Sequence, residues 1–195
     1  MIYLSGVYRD DLPFLATPWR GVPLLPEQIW AADTGLFGKS GLRYTNDRYL
    51  RWLEPLPSQT CLFAAAPDVV GNAVETLKLA AEMYEAVRGL GFRVALVGQN
   101  GLEHLAVPWD DFDAFFVGGT TEWKLGSQAA ALVSEAKRRG KWVHMGRVNS
   151  LRRMQYAESI GCDSADGTVL KHDPHRPVHT WGPHVFNRPS LWRPR

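Results

Sequence analysis

Short runs of apolar residues recur along the chain, and each is followed by a loop rich in Gly, Asp or Gln. The runs are only a few residues long and contain many β-branched, aromatic and small apolar side chains, which is typical of buried strands. Seven candidate strands follow from this pattern: residues 2–4, 28–32, 61–65, 93–97, 114–117, 142–144 and 161–163.

Helical periodicity occupies several of the segments between these runs. It predicts helices over residues 47–53, 69–90, 127–139 and 150–160. The clearest apolar stripe belongs to the second helix, and it consists of Val74, Leu77, Ala80, Ala81, Tyr84 and Val87. Gly91 is expected to end that helix, and Ser150 is expected to cap the fourth.

Alternating strands and helices favour parallel βα units, arranged either as a barrel or as a doubly wound sheet. The chain has 195 residues, whereas an eight-fold α/β barrel usually takes about 200 to 250. We therefore predict one α/β domain over residues 1–195 with a compact or incomplete (β/α)8 TIM-type barrel. Its eighth strand is expected to be either lost or drawn from residues 178–186.

The composition excludes a disordered chain and a coiled coil, because 45% of the residues are hydrophobic and 22 Lys+Arg balance 20 Asp+Glu. Residues 168–195 nevertheless carry a charge of +4. This basic, Pro- and His-rich C-terminal arm favours a polyanionic partner, although a solvated tail has the same composition.

Cys61 and Cys162 lie in apolar runs and are expected to be buried thiols. No leader or membrane span is predicted, so a cytoplasmic location is the default expectation.

Polar residues and glycines follow the candidate strands at their carboxyl ends, where the loops of both parallel architectures converge on one crevice. The residues in such positions are Asp33, Asp68, Gln99, Gly118, Gly119, Met145, Gly146, Asp163 and Asp166. A single acid in this position, such as Asp68 alone, is most often a helix cap. Several strand-end carboxylates with a Gln and paired glycines favour a shared site.

Several motifs of nucleotide and ester chemistry are absent from the sequence. It contains no Gly-x-x-x-x-Gly-Lys-Ser/Thr loop, no Gly-x-Gly-x-x-Gly turn and no Gly-x-Ser-x-Gly elbow, which disfavours phosphoryl transfer, hydride transfer and esterase activity. Paired carboxylates with amide groups suit displacement at a sugar carbon, where one carboxylate attacks the anomeric centre and another group manages protons. No cofactor is expected for this chemistry.

Taken in order, the strand-end loops resemble the tRNA-guanine transglycosylase superfamily, and more closely its phage and bacterial branch that places 7-deazaguanines into DNA. The similar segments are Trp-Ala-Ala-Asp-Thr-Gly-Leu-Phe at 30–37, Pro-Asp at 67–68, Val-Gly-Gln-Asn-Gly at 97–101, Val-Gly-Gly at 117–119, His-Met-Gly at 144–146 and Gly-Cys-Asp-Ser-Ala-Asp at 161–166. They occur in the order that the family shows.

The resemblance implies a base exchange in which a 7-deazaguanine derivative replaces guanine in nucleic acid through a covalent Asp-sugar intermediate. Asp166 would be the nucleophile, and Asp33 would transfer protons or orient the sugar. The residues implied to contact the base are Asp68, Gln99, Gly118, Gly119, Met145, Phe37 and His144. The implied partners are a nucleic acid and a free 7-deazaguanine base.

Two departures from the family bear on the substrate. The family's Cys-x-Cys-x-x-Cys zinc cluster is absent, and Gly167-Thr168-Val169 replaces the Pro-Thr-Arg that follows the family nucleophile. Both departures argue against recognition of a tRNA anticodon loop and favour DNA or a smaller substrate. No metal site is expected, because the His residues near the C-terminus lie in a Pro-broken segment. The candidates for phosphate contacts are Arg147, Arg152, Arg153, Lys171 and Arg176.

Other interpretations stay open at the level of the sequence. The chain could be a nucleoside or nucleotide hydrolase or a deoxyribosyltransferase acting on small molecules, or a nucleic-acid-binding module without catalysis. Asp163 and Asp166 compete for the role of nucleophile, and Asp163 is more typical of a turn. His144 and Met145 are as typical of a packed core as of a site. The oligomeric state is open, with a homodimer among the options.

Overall fold

The computed structural model describes residues 1–8, 12–19, 21, 24–25, 27–36 and 43–172. In these residues, eight parallel strands hydrogen-bond in chain order and close into a barrel. The strands are β1 (Ile2–Ser5), β2 (Phe14–Ala16), β3 (Trp30–Ala32), β4 (Cys61–Ala65), β5 (Val94–Gly98), β6 (Ala114–Val117), β7 (Trp142–Met145) and β8 (Ser164–Gly167). The prediction of an α/β TIM-type barrel is confirmed, and the barrel is complete.

The strand that the sequence pattern missed is β2. It consists of three buried residues, and Phe14 pairs with Ser5 of β1 and with Trp30 of β3. Prolines at 13 and 18 lie on either side of it. Its apolar run is therefore too short to be distinguished from a loop by sequence pattern. The expectation of a lost or C-terminal eighth strand is wrong, because β8 pairs directly with β1. Residues 178–186 lie outside the described part of the chain.

The last strand begins later than the predicted residues 161–163. It pairs Ser164 with Ile2 and Asp166 with Leu4. The apolar pattern does not predict this strand, because its sequence is Ser-Ala-Asp-Gly. Its two polar side chains face the barrel interior, where both contact His144. Asp163 therefore precedes the strand and lies at the amino end of the barrel.

The described helices are α1 (Asn46–Leu53), α2 (Ala73–Ala81), α3 (Tyr84–Gly89), α4 (Thr121–Lys124), α5 (Ser127–Arg138), α6 (Leu151–Ser159) and α7 (Val169–His172). Ser150 caps α6 as predicted, by accepting a hydrogen bond from the backbone of Arg153. No helix in the described ranges is long and apolar enough to cross a membrane.

The long helix predicted over residues 69–90 is two helices, α2 and α3. The predicted stripe is also wrong in part, because Val74 is 48% exposed. The buried face of α2 instead carries Ala73, Thr76 and Ala80. The Thr76 hydroxyl donates to the carbonyl of Asn72. This hydrogen bond allows a polar residue to lie on the buried face of α2, where the predicted apolar stripe does not include it.

Side chains of the strands alternate between two apolar layers, as the pleat of a strand requires. Leu4, Phe63 and Phe116 fill the barrel interior, whereas Val143 and Met145 pack between the strands and the helices. This alternation decides which residues near the carboxyl ends can reach the cavity there. Cys61 and Cys162 are both buried and unbridged, in line with the prediction.

Candidate active site

A cavity of about 330 Å³ opens at the carboxyl end of the barrel, within the range of about 300 to 1,000 Å³ that is typical of ligand sites. The predicted site residues that line it are Asp33, Asp68, Gln99, Gly118, Gly119, Arg147 and Asp166. They come from the ends of six strands, β3 to β8, or from the loops that follow them. The barrel thus brings together most of the groups that the sequence placed at strand ends.

Asp166 points from β8 into this cavity. Its Oδ1 atom lies 3.0 Å from His144 Nε2 and accepts a longer hydrogen bond, of 3.3 Å, from the backbone N–H of Arg147. Both partners come from β7 or the residues just after it. The Oδ1 atom of Asp166 therefore has two protein partners that fix the orientation of the carboxylate. This arrangement suits a group that reacts through its other oxygen, Oδ2.

Asp33 follows β3, where its backbone N–H donates to the carbonyl of Ala16. Burial raises the pKa of Asp33 to about 7, with further contributions from the charges of Asp68 and Asp166. The Gly35 N–H donates to its Oδ2 atom and opposes the rise. A carboxyl group with such a pKa exchanges protons readily near neutral pH.

Asp68 and Gln99 form a hydrogen-bonded pair on one wall of the cavity. Gln99 Nε2 donates to Asp68 Oδ2 over 2.7 Å, and Gln99 Oε1 accepts from the N–H groups of Gly71 and Gly119. These two backbone donors determine the orientation of the amide. Burial raises the pKa of Asp68 to about 6, and the Arg147 charge and the Gln99 hydrogen bond counteract this rise.

The glycine turn after β6 packs closely against its neighbours. Gly119 has a φ of 65°, and a Cβ there would lie 2.5 Å from the Trp123 ring, so another residue does not fit. Its N–H donates to Gln99, and its carbonyl accepts from Arg147 Nη2. Both backbone groups of Gly119 already have hydrogen-bond partners. A base that binds to this turn therefore has to share these groups with Gln99 and Arg147.

His144 and Met145 do not lie where the resemblance implies. Both are 0% exposed, and neither lines the cavity. Met145 packs in the layer between strands and helices, because β7 extends through it and the pleat turns it outward. His144 faces the interior but lies behind Asp166. In this structure, therefore, neither side chain reaches the cavity in which a base would be bound, and Phe37 lies outside the described residues.

The predicted phosphate-binding residues are dispersed. Arg147 lines the cavity and has a φ of 59°, which turns its side chain toward the Gly119 carbonyl rather than along the outer surface. Arg153 is half-buried in the first turn of α6, whereas Arg152 is exposed. The side chain of Lys171 and all of Arg176 lie outside the part of the chain that is described.

Three further residues belong to the site, and sequence reasoning missed them. Trp19, in the loop after β2, lines the cavity. Ser164 Oγ lies 2.9 Å from Nδ1 of His144, on the side of the ring opposite Asp166. Lys124 of α4 is 2% exposed, and its Nζ donates to the carbonyl of Gly146 over 2.6 Å. Burial, with the nearby charge of Arg147, lowers the pKa of Lys124 to about 7.

The sequence carried little signal for these three residues. Trp19 follows a strand that the apolar pattern does not predict, and Ser164 comes after the predicted strand at 161–163, in a predicted loop. Lys124 lies on a four-residue helix that is too short for periodicity to show. Among the described residues, no three His, Cys, Asp or Glu side chains are grouped so that they could hold a metal ion.

No family model matches the chain, and no curated relative matches it. Among solved structures, a similar one is that of Klebsiella pneumoniae BlrP1 in a manganese and cyclic-di-GMP complex at pH 6, with a TM-score of 0.45 and 14% identity. The match covers 73% of this chain and 38% of that chain, so this chain corresponds to well under half of BlrP1. A likeness at this level does not indicate a shared activity.

Proposed function

We propose that the protein exchanges guanine in DNA for a 7-deazaguanine derivative through a covalent intermediate on Asp166. One observation carries the proposal: Asp33, Asp68 and Asp166 share a single cavity but have three different environments. Asp166 Oδ1 accepts from the backbone N–H of Arg147 and lies 3.0 Å from His144 Nε2, Asp68 is paired with the Gln99 amide, and the pKa of Asp33 is raised to about 7. Carboxylates in different environments can take the different roles of nucleophile, base reader and proton carrier.

In the first displacement, Asp166 Oδ2 attacks C1′ of the target nucleotide. The new C1′–O bond forms as the C1′–N9 bond breaks, and the electron pair of that bond leaves with guanine. Protonated Asp33 gives its proton to the departing base, which leaves as neutral guanine. A target in duplex DNA must first be flipped out of the stack, at a cost of a few kcal/mol.

In the second displacement, the incoming deazapurine takes the place of guanine. Ionised Asp33 accepts the N9 proton as N9 attacks C1′, and the C1′–O bond to Asp166 breaks with its electron pair returning to the carboxylate. The enzyme is then back in its starting protonation state. Two displacements at one carbon give overall retention of configuration.

The Asp68–Gln99 pair supplies base selection in this proposal. An ionised Asp68 accepts hydrogen bonds from N1–H and the 2-amino group, which guanine and 7-deazaguanines both carry. Gln99 fixes the direction of the carboxylate, since its own amide is held by Gly71 and Gly119. A base that lacks these donors, such as adenine, displaces water from Asp68 without donating hydrogen bonds to it, and is therefore rejected.

A second candidate function is deoxyribosyl transfer between free nucleosides. It is favoured by the position of Arg147, which lines the cavity instead of extending a phosphate-binding surface. Of the three arginines after β7, Arg152 is exposed. In the nucleoside reaction, Arg152→Gln has no effect, whereas in a reaction on DNA it weakens binding and reduces the salt dependence of binding.

The decisive experiment is mass spectrometry of nucleosides from DNA. Single-stranded and duplex DNA are incubated with the protein and a 7-deazaguanine, digested and analysed, and free deoxyguanosine is treated in parallel. Incorporation into DNA that disappears in Asp166→Asn and persists in Asp163→Asn is the expected result. Exchange in free deoxyguanosine alone supports the nucleoside reaction instead. DNA binding without any exchange or trapped adduct means a binding module and overturns the proposal.

A further inference from the structure

A chain of hydrogen-bonded side chains runs along the inner wall of the barrel and ends at Asp166. Trp142 Nε1 donates to Ser164 Oγ over 2.9 Å. Ser164 Oγ lies 2.9 Å from His144 Nδ1, and His144 Nε2 lies 3.0 Å from Asp166 Oδ1. Ser164 and His144 are both 0% exposed, so their hydrogen bonds have to be made within the protein.

The direction of these hydrogen bonds follows from Trp142. An indole N–H can only donate, so Ser164 Oγ accepts from it and keeps one hydroxyl hydrogen to give. Among the described residues, the acceptor available to that hydrogen is His144 Nδ1. A proton on Nδ1 would leave the buried hydroxyl without an acceptor, which is costly. His144 Nδ1 therefore accepts, and the ring proton lies on Nε2, facing Asp166.

The surroundings of the imidazole support a fixed tautomer. The ring centroid of Phe116 lies 4.4 Å from that of His144, in an edge-on arrangement, and the ring of Phe63 lies 5.1 Å away. These apolar neighbours restrict water at the ring, so that the two protein partners determine where its proton is.

We propose that Ser164 holds His144 as the Nε2–H tautomer and that His144 is a positioning residue for Asp166. The Nε2–H group and the backbone N–H of Arg147 both donate to Oδ1, which turns Oδ2 toward the cavity. The tautomer itself does not depend on the reaction. The catalytic consequence rests on the proposed function, because it needs Asp166 to be the nucleophile.

The same two donors serve every state of the proposed exchange. When Oδ2 bonds to C1′, Oδ1 becomes the carbonyl oxygen of the ester and still accepts from His144 and Arg147. When the C1′–O bond breaks, the electron pair returns to a carboxylate that is already held in place. The proton on Nε2 stays on His144 throughout, so His144 acts as a fixed donor rather than as a base.

Two-bond ¹H–¹⁵N spectra of the full chain labelled with ¹⁵N-histidine test the tautomer directly. The chain contains 6 His, and the signals that disappear in His144→Gln belong to His144. We expect the pattern of a neutral ring with its proton on Nε2. This pattern should persist in Asp166→Ala, where Ser164 is intact, and should be lost in Ser164→Ala. A proton on Nδ1 or on both nitrogens in the wild type overturns the proposal, whether or not the serine variant folds.

Kinetics of base exchange test the consequence. His144→Leu removes the donor and should lower kcat about 10- to 100-fold, as expected for the loss of a hydrogen bond to a charged group, with KM within about 3-fold. His144→Gln retains an amide donor and should recover part of kcat. Equal kcat values in the leucine and glutamine variants overturn the positioning role. If wild-type protein exchanges no base, the proposed function fails while the spectra still decide the tautomer.

Discussion

The carboxylates at the two ends of the barrel have different partners. At the amino end, Asp163 accepts from the N–H of Val143 and contacts Lys137 Nζ through both oxygens at 2.7 Å. Asp113 repeats this arrangement, with the N–H of Val94 and the guanidinium of Arg88. Each of these carboxylates has a cation of its own and ties a strand to the strand before it.

At the carboxyl end, Asp33, Asp68 and Asp166 share one cavity, and Arg147 is the cation that lines it among the described residues. The pKa of Asp33 and of Asp68 is raised there, chiefly by burial. Groups that stabilise a fold are each paired with an opposite charge, whereas groups that act on a ligand are held in less favourable surroundings. The comparison assigns Asp113 and Asp163 to the stability of the barrel, and it supports the proposal that the carboxyl end holds the active site.

The sharpest test of this contrast uses two acids of the same segment. Asp166→Asn should lower base exchange at least about 1,000-fold, because an amide cannot form the sugar ester. Asp163→Asn should retain the activity per folded molecule. The amount of 7-deazaguanine in digested DNA measures both. Equal losses in the two variants would remove the functional distinction between the ends.

A second test concerns the pH dependence at the carboxyl end. The values of kcat/KM should rise with pH near 6, as Asp68 ionises, and fall near 7, as Asp33 loses the proton it gives to guanine. Asp33→Asn should lower kcat/KM about 100- to 10,000-fold and abolish the falling limb. A falling limb that survives in this variant would assign the proton to another group.

At the amino end, the expected effect is on stability. Asp113→Asn weakens the contact with Arg88 and should reduce the free energy of unfolding by about 1 to 3 kcal/mol, without a change in exchange activity. Glu85→Gln is the matched control, because Glu85 also contacts Arg88 but its side chain is 93% exposed. It should cost less than about 1 kcal/mol. Urea denaturation measures both, and a similar cost for the two variants would contradict the role given to Asp113.

The smallest expected effect comes from Lys124. Its pKa is about 7 in the folded protein and about 10.4 in an unfolded chain, so the unfolded state binds more protons between these values. Stability should therefore increase with pH through this window. From pH 6.5 to 8.5, the wild type should gain on the order of 1 kcal/mol relative to Lys124→Met. Parallel stability curves would show that Lys124 does not titrate there.

Much of the fold was predictable because most strands are continuous apolar runs. Residues 61–65 and 114–117 have the same bounds in prediction and structure. The two strands that the pattern missed or misplaced are β2, whose apolar run of 3 residues is enclosed by prolines, and β8, which contains Ser164 and Asp166. Closure of the barrel provides partners for both, so their strand conformation depends on neighbours distant in sequence.

The sequence predicted the candidate site best where a residue lies in the loop just after an apolar strand. Asp33, Asp68 and Gln99 satisfy this condition, and all three line the cavity. His144 and Met145 do not, because they belong to β7 itself. Which of two adjacent strand residues faces inward depends on the phase of the pleat, and a run with apolar side chains on both faces gives no indication of that phase.

The sequence alone determined the alternation of strands and helices, the class of fold and the positions of several polar groups at strand ends, because these follow from local patterns of hydrophobicity. Tertiary structure alone decided that Asp166 enters the cavity while Asp163 pairs with Lys137 at the opposite end. It also decided that Trp142, Ser164 and His144 form one hydrogen-bonded chain behind Asp166. These outcomes depend on the register between strands and on the pleat, which arise only when the barrel closes.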